Sequence, residues 1–177
     1  MLYVEKTTPE DCFRLAPNLK QLDKFEVALW GMDPLQALLI PFRYKKNNKH
    51  TYTVFDTSHN IVAIFGVAPT INNTKAGRIW LLSSNLLEKN FFNFLKVNKK
   101  WLYYLEEDYS YISNYITEEQ ETSIKWLKWQ GFTFAKKPML VKNVKVLYFY
   151  KRLHNVVKYG TQPILEEIGP KWATHLI

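Results

Sequence analysis

The sequence predicts one α/β domain over residues 1–152, a mixed and mostly antiparallel sheet flanked by helices, followed by a C-terminal tail over 153–177. Three observations carry this expectation. Tyr111 to Ile116 alternates as a strand does, with Ile112, Asn114 and Ile116 on one face and Tyr111, Ser113 and Tyr115 on the other. A short helix follows, from about Ser123 to Gln130, stopped by Gly131, and Phe132 opens another strand. Upstream, Arg78 to Leu82 reads as a central strand, apolar on both faces, that feeds the longest helix, from Ser84 to about Glu107. Leu87, Phe91, Phe94, Leu95, Leu102 and Leu105 recur along that helix at helical spacing, with Lys89, Lys96, Lys99 and Lys100 mostly on its outer side.

The remaining elements follow in order. Leu2 to Lys6 is a first strand. Thr8-Pro9-Glu10-Asp11 opens a helix, with Thr8 as cap, Pro9 in the first turn and two acids complementing the dipole; Pro17 ends it. A second helical region spans about Leu22 to Leu39 and breaks at Gly31-Met32-Asp33-Pro34, and Lys45 to His50 is a polar loop. Thr51 to Asp56 and Ile61 to Ala68 form a hairpin, in which Gly66 marks a bulge or a close backbone approach. Ile71 to Gly77 is a turn. Thr117 is expected to cap the helix that follows Tyr111 to Ile116, with Glu118, Glu119 and Glu121 at its positive end and Ile124, Leu127 and the stem of Lys128 along one stripe. Ala135 and Val144 to Lys151 complete the sheet.

Composition sets the outer bounds. A chain of 177 residues with 47% hydrophobic and 16% aromatic content is too apolar for disorder. No apolar run approaches the ~20 residues of a membrane span. The N-terminus lacks a signal peptide's basic start and apolar stretch, so secretion is not expected. One cysteine, Cys12, excludes an internal disulfide and reads as a small core hydrophobe. The net charge of +8 leaves a nucleic-acid partner open, although no nucleic-acid-binding motif accompanies the lysines. The histidines His50, His59, His154 and His175 show no ligand spacing, so no metal is expected. No Ser-His-acid pattern or phosphate-binding P-loop is present.

The order of elements over 1–152 resembles the GNAT (acyl-CoA N-acetyltransferase) fold. The phrases Ala63-Ile64-Phe65-Gly66-Val67, Trp80-Leu81-Leu82-Ser83-Ser84, Asn114-Tyr115-Ile116 and Ile124 to Phe132 resemble, more narrowly, a phage group that includes the small internal virion protein of short-tailed coliphages. The resemblance implies a cofactor pyrophosphate held on backbone N–H groups between the central strand and the long helix. In this sequence that stretch is Leu82-Ser83-Ser84-Asn85, with Lys89 further on, and it lacks the family's glycines; Leu86 and Leu87 stand where small residues are usual. Ser83 or Ser84 would serve there as a helix cap. The family's general acid, a tyrosine, falls on Leu127, which cannot donate a proton, and its asparagine ahead of that helix falls on Gln120.

These departures imply a degenerate acyl-CoA site with no catalytic residue and no bound cofactor. The expected role is then that of a virion assembly or internal virion protein, in the host cytoplasm during infection and in the particle. The alternative is an active N-acetyltransferase that uses acetyl-CoA on a host or phage amine. Partners would be other virion or assembly proteins. The tail offers them Leu165, Ile168 and Trp172 at i, i+3 and i+7, with Pro170 bending any helix from about Thr161 to Gly169. Trp126 and Trp129 lie three apart, which leaves one of them free to face a partner or the groove.

Overall fold

A computed structural model describes residues 1–43, 50–70, 73, 75–106 and 108–153. Lys45 to Lys49 of the polar loop, Ile71, Asn72 and Thr74 of the turn, and the whole tail beyond Leu153, with Leu165, Ile168 and Trp172, lie outside the described residues. The chain runs β1 (Leu2–Lys6), α1 (Pro9–Leu15), a 3₁₀ turn (Ala16–Asn18), α2 (Gln21–Leu29), α3 (Pro34–Arg43), β2 (His50–Asp56), β3 (Ile61–Pro69) and β4 (Ala76–Ser83). It continues with α4 (Leu86–Lys89), α5 (Phe91–Glu106), β5 (Tyr111–Thr117), α6 (Glu121–Trp129), β6 (Thr133–Phe134), β7 (Met139–Val141) and β8 (Val144–Arg152). The strands form one sheet in the order β1-β2-β3-β4-β5-β8-β6, with β7 also on β8. Every pairing is antiparallel except that of β4 with β5. The expected mixed, mostly antiparallel sheet is therefore present.

Local chemistry explains where most elements begin and end. Thr8 and Asp11 form a capping box, each side chain accepting from the other residue's backbone N–H, and Pro9 occupies the first turn of α1. Gly131 takes φ +88 directly after the C-cap of α6, a left-handed stop that a side chain would resist. The α1 and α3 layer buries Cys12, Leu15 and Leu38 against Phe55, Ile61 and Ile64. Burial pushes the Cys12 thiol up to about 12, so it packs as a hydrophobe and not as a nucleophile. On the opposite face Phe94, Leu102 and Leu127 pack with Phe65, Val67, Ile112, Ile116 and Phe149. Truncating one such side chain to alanine costs about 2–5 kcal/mol by loss of transfer energy and creation of a cavity.

Three expectations need correction. The long helix is not continuous. It breaks at Asn90, whose N–H bonds the carbonyls of both Leu86 and Leu87 at 3.1 Å and whose side-chain amide reaches Leu86 O at 3.0 Å. An Asn that bonds its own backbone competes with the helical ladder, so a single turn, α4, precedes α5. Thr117 does not cap α6. It ends β5, Gln120 stands at the cap position without a side-chain bond to the helix backbone, and Glu118 and Glu119 lie in the turn before the helix. Neither Ser83 nor Ser84 is the N-cap of the α4 segment, which is Asn85. Gly66 marks a close approach and not a bulge: the register shift lies between Val54 and Phe55.

Candidate functional site

The site is set by how β4 leaves β5. The two parallel strands pair only at Ala76↔Tyr111, Gly77↔Ile112 and Arg78↔Ser113, and then part. The residues beyond, Ile79 to Ser83 and Asn114 to Thr117, flank a gap. Backbone groups alternate sides along a strand, so those of Ile79, Leu81 and Ser83 on β4, and of Tyr115 and Thr117 on β5, face it. An extended ligand entering the gap would have to bond these groups, as an added strand does.

The protein's own groups hold several of them, at Ile79, Ser83, Tyr115 and Thr117. Asn114 donates from Nδ2 to Ile79 O at 2.7 Å, and its Oδ1 accepts from Tyr115 N at 2.8 Å, which ties the two strands together where they begin to part. Deeper in, α2 crosses the opening. Asp23 Oδ2 accepts from Ser83 N at 2.7 Å and from Ser83 Oγ at 3.0 Å. One turn on, Glu26 Oε1 accepts from Thr117 N at 2.6 Å. The carbonyls are met too: Lys20 N donates to Ser83 O at 2.9 Å, and Gln120 N to Thr117 O at 3.1 Å. Asp23 and Glu26 are i and i+3 on one helical face, so a single helix reaches both strands.

Gln120 completes the network. Its Nε2 donates to Asp23 Oδ1 at 3.2 Å, and its Oε1 accepts from Lys20 Nζ at 3.3 Å and Ser123 Oγ at 3.2 Å. Lys20 Nζ lies 3.5 Å from Asp23 Oδ1. Asp23, Ser83, Thr117 and Gln120 are all buried. Burial raises the Asp23 carboxyl above the usual carboxylate range, against the opposing pull of Lys20 and the bonds from Ser83 and Gln120. Burial likewise raises Glu26, against the Thr117 N–H.

A carboxyl raised on folding binds its proton more tightly in the folded state. Its contribution to stability is full below its unfolded pKa and is lost as pH rises through the folded value. Glu26→Gln keeps an oxygen for Thr117 N–H and removes a half-buried charge. The variant is expected to gain stability over the parent at about pH 8 and to lose that gain by about pH 4, below both carboxyl pKa values. Urea unfolding at the two pH values measures it, and a difference independent of pH would refute the buried-charge account.

The loop after β4 is equally committed. Ser84 N donates to Val62 O at 3.0 Å, and Ser84 Oγ to Ile61 O at 2.8 Å. Leu86 N donates to Ser84 Oγ at 3.3 Å, and Leu87 N to Ser84 O at 3.1 Å. Leu87 is buried, Leu86 packs on the core, and Leu82 packs on the α1–α3 layer. Asn85 and Lys89 are exposed at the two ends of the α4 turn. A shallow cleft of about 640 Å³, lined by Arg14, Asn18, Asn60, Ser84 and Asn85 among others, adjoins this loop on its α1 side. Of the sequence-expected site residues, Ser83 and Gln120 come together through Asp23, whereas Leu82, Ser84, Asn85 and Lys89 stay in or beside the loop. Leu127 is buried among core side chains, and Trp126 packs on Phe94 with ring centroids 5.8 Å apart; Trp129 is the exposed one of the pair.

Sequence reasoning missed Asp23, Glu26, Lys20 and a tyrosine layer across β5 and β8. The Tyr111 and Tyr148 hydroxyls lie 2.6 Å apart, Tyr148 stacks on Tyr150 and tilts against Tyr115, and Trp30 tilts onto Tyr115. Burial raises the phenols of Tyr111 and Tyr115, so both are weaker acids than free tyrosine. The alternation of Tyr111 and Tyr115 was the only signal for this layer. Among the described residues no group of three or more His, Cys, Asp or Glu could hold a metal ion, and no helix is long and apolar enough to cross a membrane.

Solved structures align over nearly their full length. The fold is that of the GNAT acetyltransferases. An Ard1 structure from Thermoplasma volcanium matches with a TM-score of 0.64 and 10% identity, covering 86% of this chain and 97% of that one. A ribosomal-protein-alanine N-acetyltransferase from Brucella melitensis matches at 0.61 and 13%, covering 85% and 99%. A spermidine N-acetyltransferase from Vibrio cholerae, in complex with CoA and spermine, matches at 0.61 and 11%, covering 85% and 95%. No protein-family model matches the sequence, and no curated protein matches it. At such identities the likeness is one of fold.

Proposed function

We propose that this chain is a GNAT-fold phage protein whose acyl-CoA groove has become a structural joint, and that it acts in virion assembly or inside the virion as a binding protein and not as an N-acetyltransferase. One observation carries the non-catalytic part: Asp23 and Glu26 already hold the Ser83 and Thr117 N–H groups that face the gap. The residues present do not fit acyl-CoA. Its pyrophosphate would meet a loop whose Ser83, Ser84, Leu86 and Leu87 N–H groups are bonded internally, beside the buried Asp23 carboxyl. At the general-acid position Leu127 has no proton to give. Calorimetry of the full chain with acetyl-CoA tests this. The expected result is no binding at micromolar protein, and a micromolar dissociation constant would overturn it. The competing reading, transfer of an acetyl group to a host or phage amine, is favoured by the N-acetyltransferases among the structural neighbours.

The phage and virion part rests on the sequence resemblance and places the protein in the host cytoplasm and the particle. Its partners would be other virion or assembly proteins, engaged through Leu165, Ile168 and Trp172 of the tail. Leu153 bonds Ser110 O through its N–H at 3.0 Å and packs on the core, which supports a domain that includes Leu153. Truncation after Leu153 is therefore expected to leave a folded domain with an unfolding midpoint within a few degrees of the full chain. In infected cells the full chain should then co-sediment with particles and the truncated chain should not. Loss of cooperative unfolding on truncation would assign the tail to the core instead.

A further inference from the structure

The net charge of +8 is not spread over the fold. From Thr122 to Leu153 the chain carries eight basic residues and no acidic one, leaving 16 basic against 16 acidic in the rest. Apart from Glu121, the first residue of α6, this segment makes up α6, β6, β7 and β8, at one end of the sheet. The opposite edge, β1, carries both signs.

The cations follow the outer border of β8. Lys151 Nζ lies 5.9 Å over the Phe132 ring and Lys128 Nζ 5.6 Å over the Phe134 ring, which places both where α6 turns into β6. Lys136 and Lys137 are exposed in the link between β6 and β7, the two short strands that pair with successive parts of β8. Lys142 is exposed in the β7–β8 turn and Lys145 at the start of β8. At ~3.3 Å per residue, β8 lays this track over about 26 Å. Among the described residues Glu121 lies 4.0 Å from Lys125 and Glu118 3.6 Å from Lys145 at its margin. In the same stretch Trp129, on the last turn of α6 beside Lys128, is 62% exposed.

We propose that this edge binds single-stranded nucleic acid, its lysines along the phosphates and Trp129 stacked on a base. A row of cations with no acidic residue between them complements a polyanion. The exposed indole argues for splayed bases, because a duplex buries its base faces and an acidic peptide or a headgroup surface offers none. The site is separate from the β4–β5 gap and stands or falls without it.

Fluorescence anisotropy of the full chain with a labelled oligonucleotide of about 12 nucleotides, over about 50–200 mM salt, tests this. With four or five phosphates engaged, the log–log salt slope is expected near −3, from about −0.7 per phosphate on a single strand. Lys136→Gln with Lys137→Gln should make the slope shallower by about 1.4. Trp129→Ala should weaken binding about 5- to 150-fold and leave the slope unchanged. Arg43→Gln with Lys75→Gln, charges outside the segment, should leave both affinity and slope at the parent values. Absence of binding at the lowest salt would overturn the proposal, as would equal losses in the two double variants. Preference for phosphatidylserine vesicles or polyglutamate, with Trp129→Ala indifferent, would overturn it as well.

Discussion

Asp23→Ala is expected to destabilise the folded chain by about 3–5 kcal/mol, the scale for removing one partner of a buried ion pair. The carboxylate is 3% exposed and accepts from Ser83 N, Ser83 Oγ and Gln120 Nε2, with the Lys20 ammonium beside it. Deleting it leaves three donors and a cation in a space too closed to hydrate freely, and each unsatisfied buried donor costs about 1–3 kcal/mol. The magnitude separates two views of the gap. If α2 merely rests over an open groove, the side chain is expendable and the loss stays below about 1 kcal/mol, the usual surface range. If α2 joins the strands, unfolding free energy by urea falls by several kcal/mol, and amide exchange at Ser83 and Thr117 accelerates together. Glu26→Ala should give the same pattern at Thr117 with a smaller loss, because it gives up one bond where Asp23 gives up three.

The fold was largely legible because its signals are local. Thr8, Pro9 and Asp11 lie within four residues of one another, Gly131 directly follows the end of its helix, and the alternation of Tyr111 to Ile116 requires no partner to be seen. The joint was not legible, because Asp23 and Ser83 are 60 residues apart, and Glu26 and Thr117 are 91 apart. In the sequence Asp23 and Glu26 are two acids on an amphipathic helix, a pattern that usually faces water. The loop was misread for a related reason. A serine ahead of a helix suggests a cap, but whether its hydroxyl turns to the helix or to a neighbouring strand is decided by tertiary contacts. Ser83 turned to α2, and Ser84 donates to β3 while its oxygen still accepts from Leu86 N at the start of α4. What the sequence shows directly is that the loop after β4 carries no glycine and that position 127 is a leucine. The structure adds that the Asp23 and Glu26 carboxylates hold two of the N–H groups facing the gap, those of Ser83 and Thr117.

The last expected result concerns the platform beneath the gap. An ideal Cβ at Gly66 would lie 2.3 Å from the His50 carbonyl oxygen and 3.2 Å from the Trp80 ring. The carbonyl belongs to the first residue of β2, paired next to Gly66 across the hairpin, so it cannot rotate away as a side chain tip would. Gly66→Ala must therefore push β2 off β3 at this end or twist β3 toward β4. Overpacking costs about 1–3 kcal/mol in a core that can adjust, and a backbone clash sits at or above the top of that range. Gly77 provides the internal comparison. There the added carbon meets Val67 Cγ2 at 2.6 Å and the Tyr109 ring at 2.9 Å, side-chain atoms with some freedom to move. Urea unfolding should then show Gly66→Ala losing about 3 kcal/mol or more and Gly77→Ala distinctly less. Hydrogen exchange should localise the first effect to Thr51 and Thr53, whose backbones pair with this part of β3. Equal losses in the two variants would mean that the hairpin is free to shift at Gly66, and that the close approach of His50 is not what fixes glycine there.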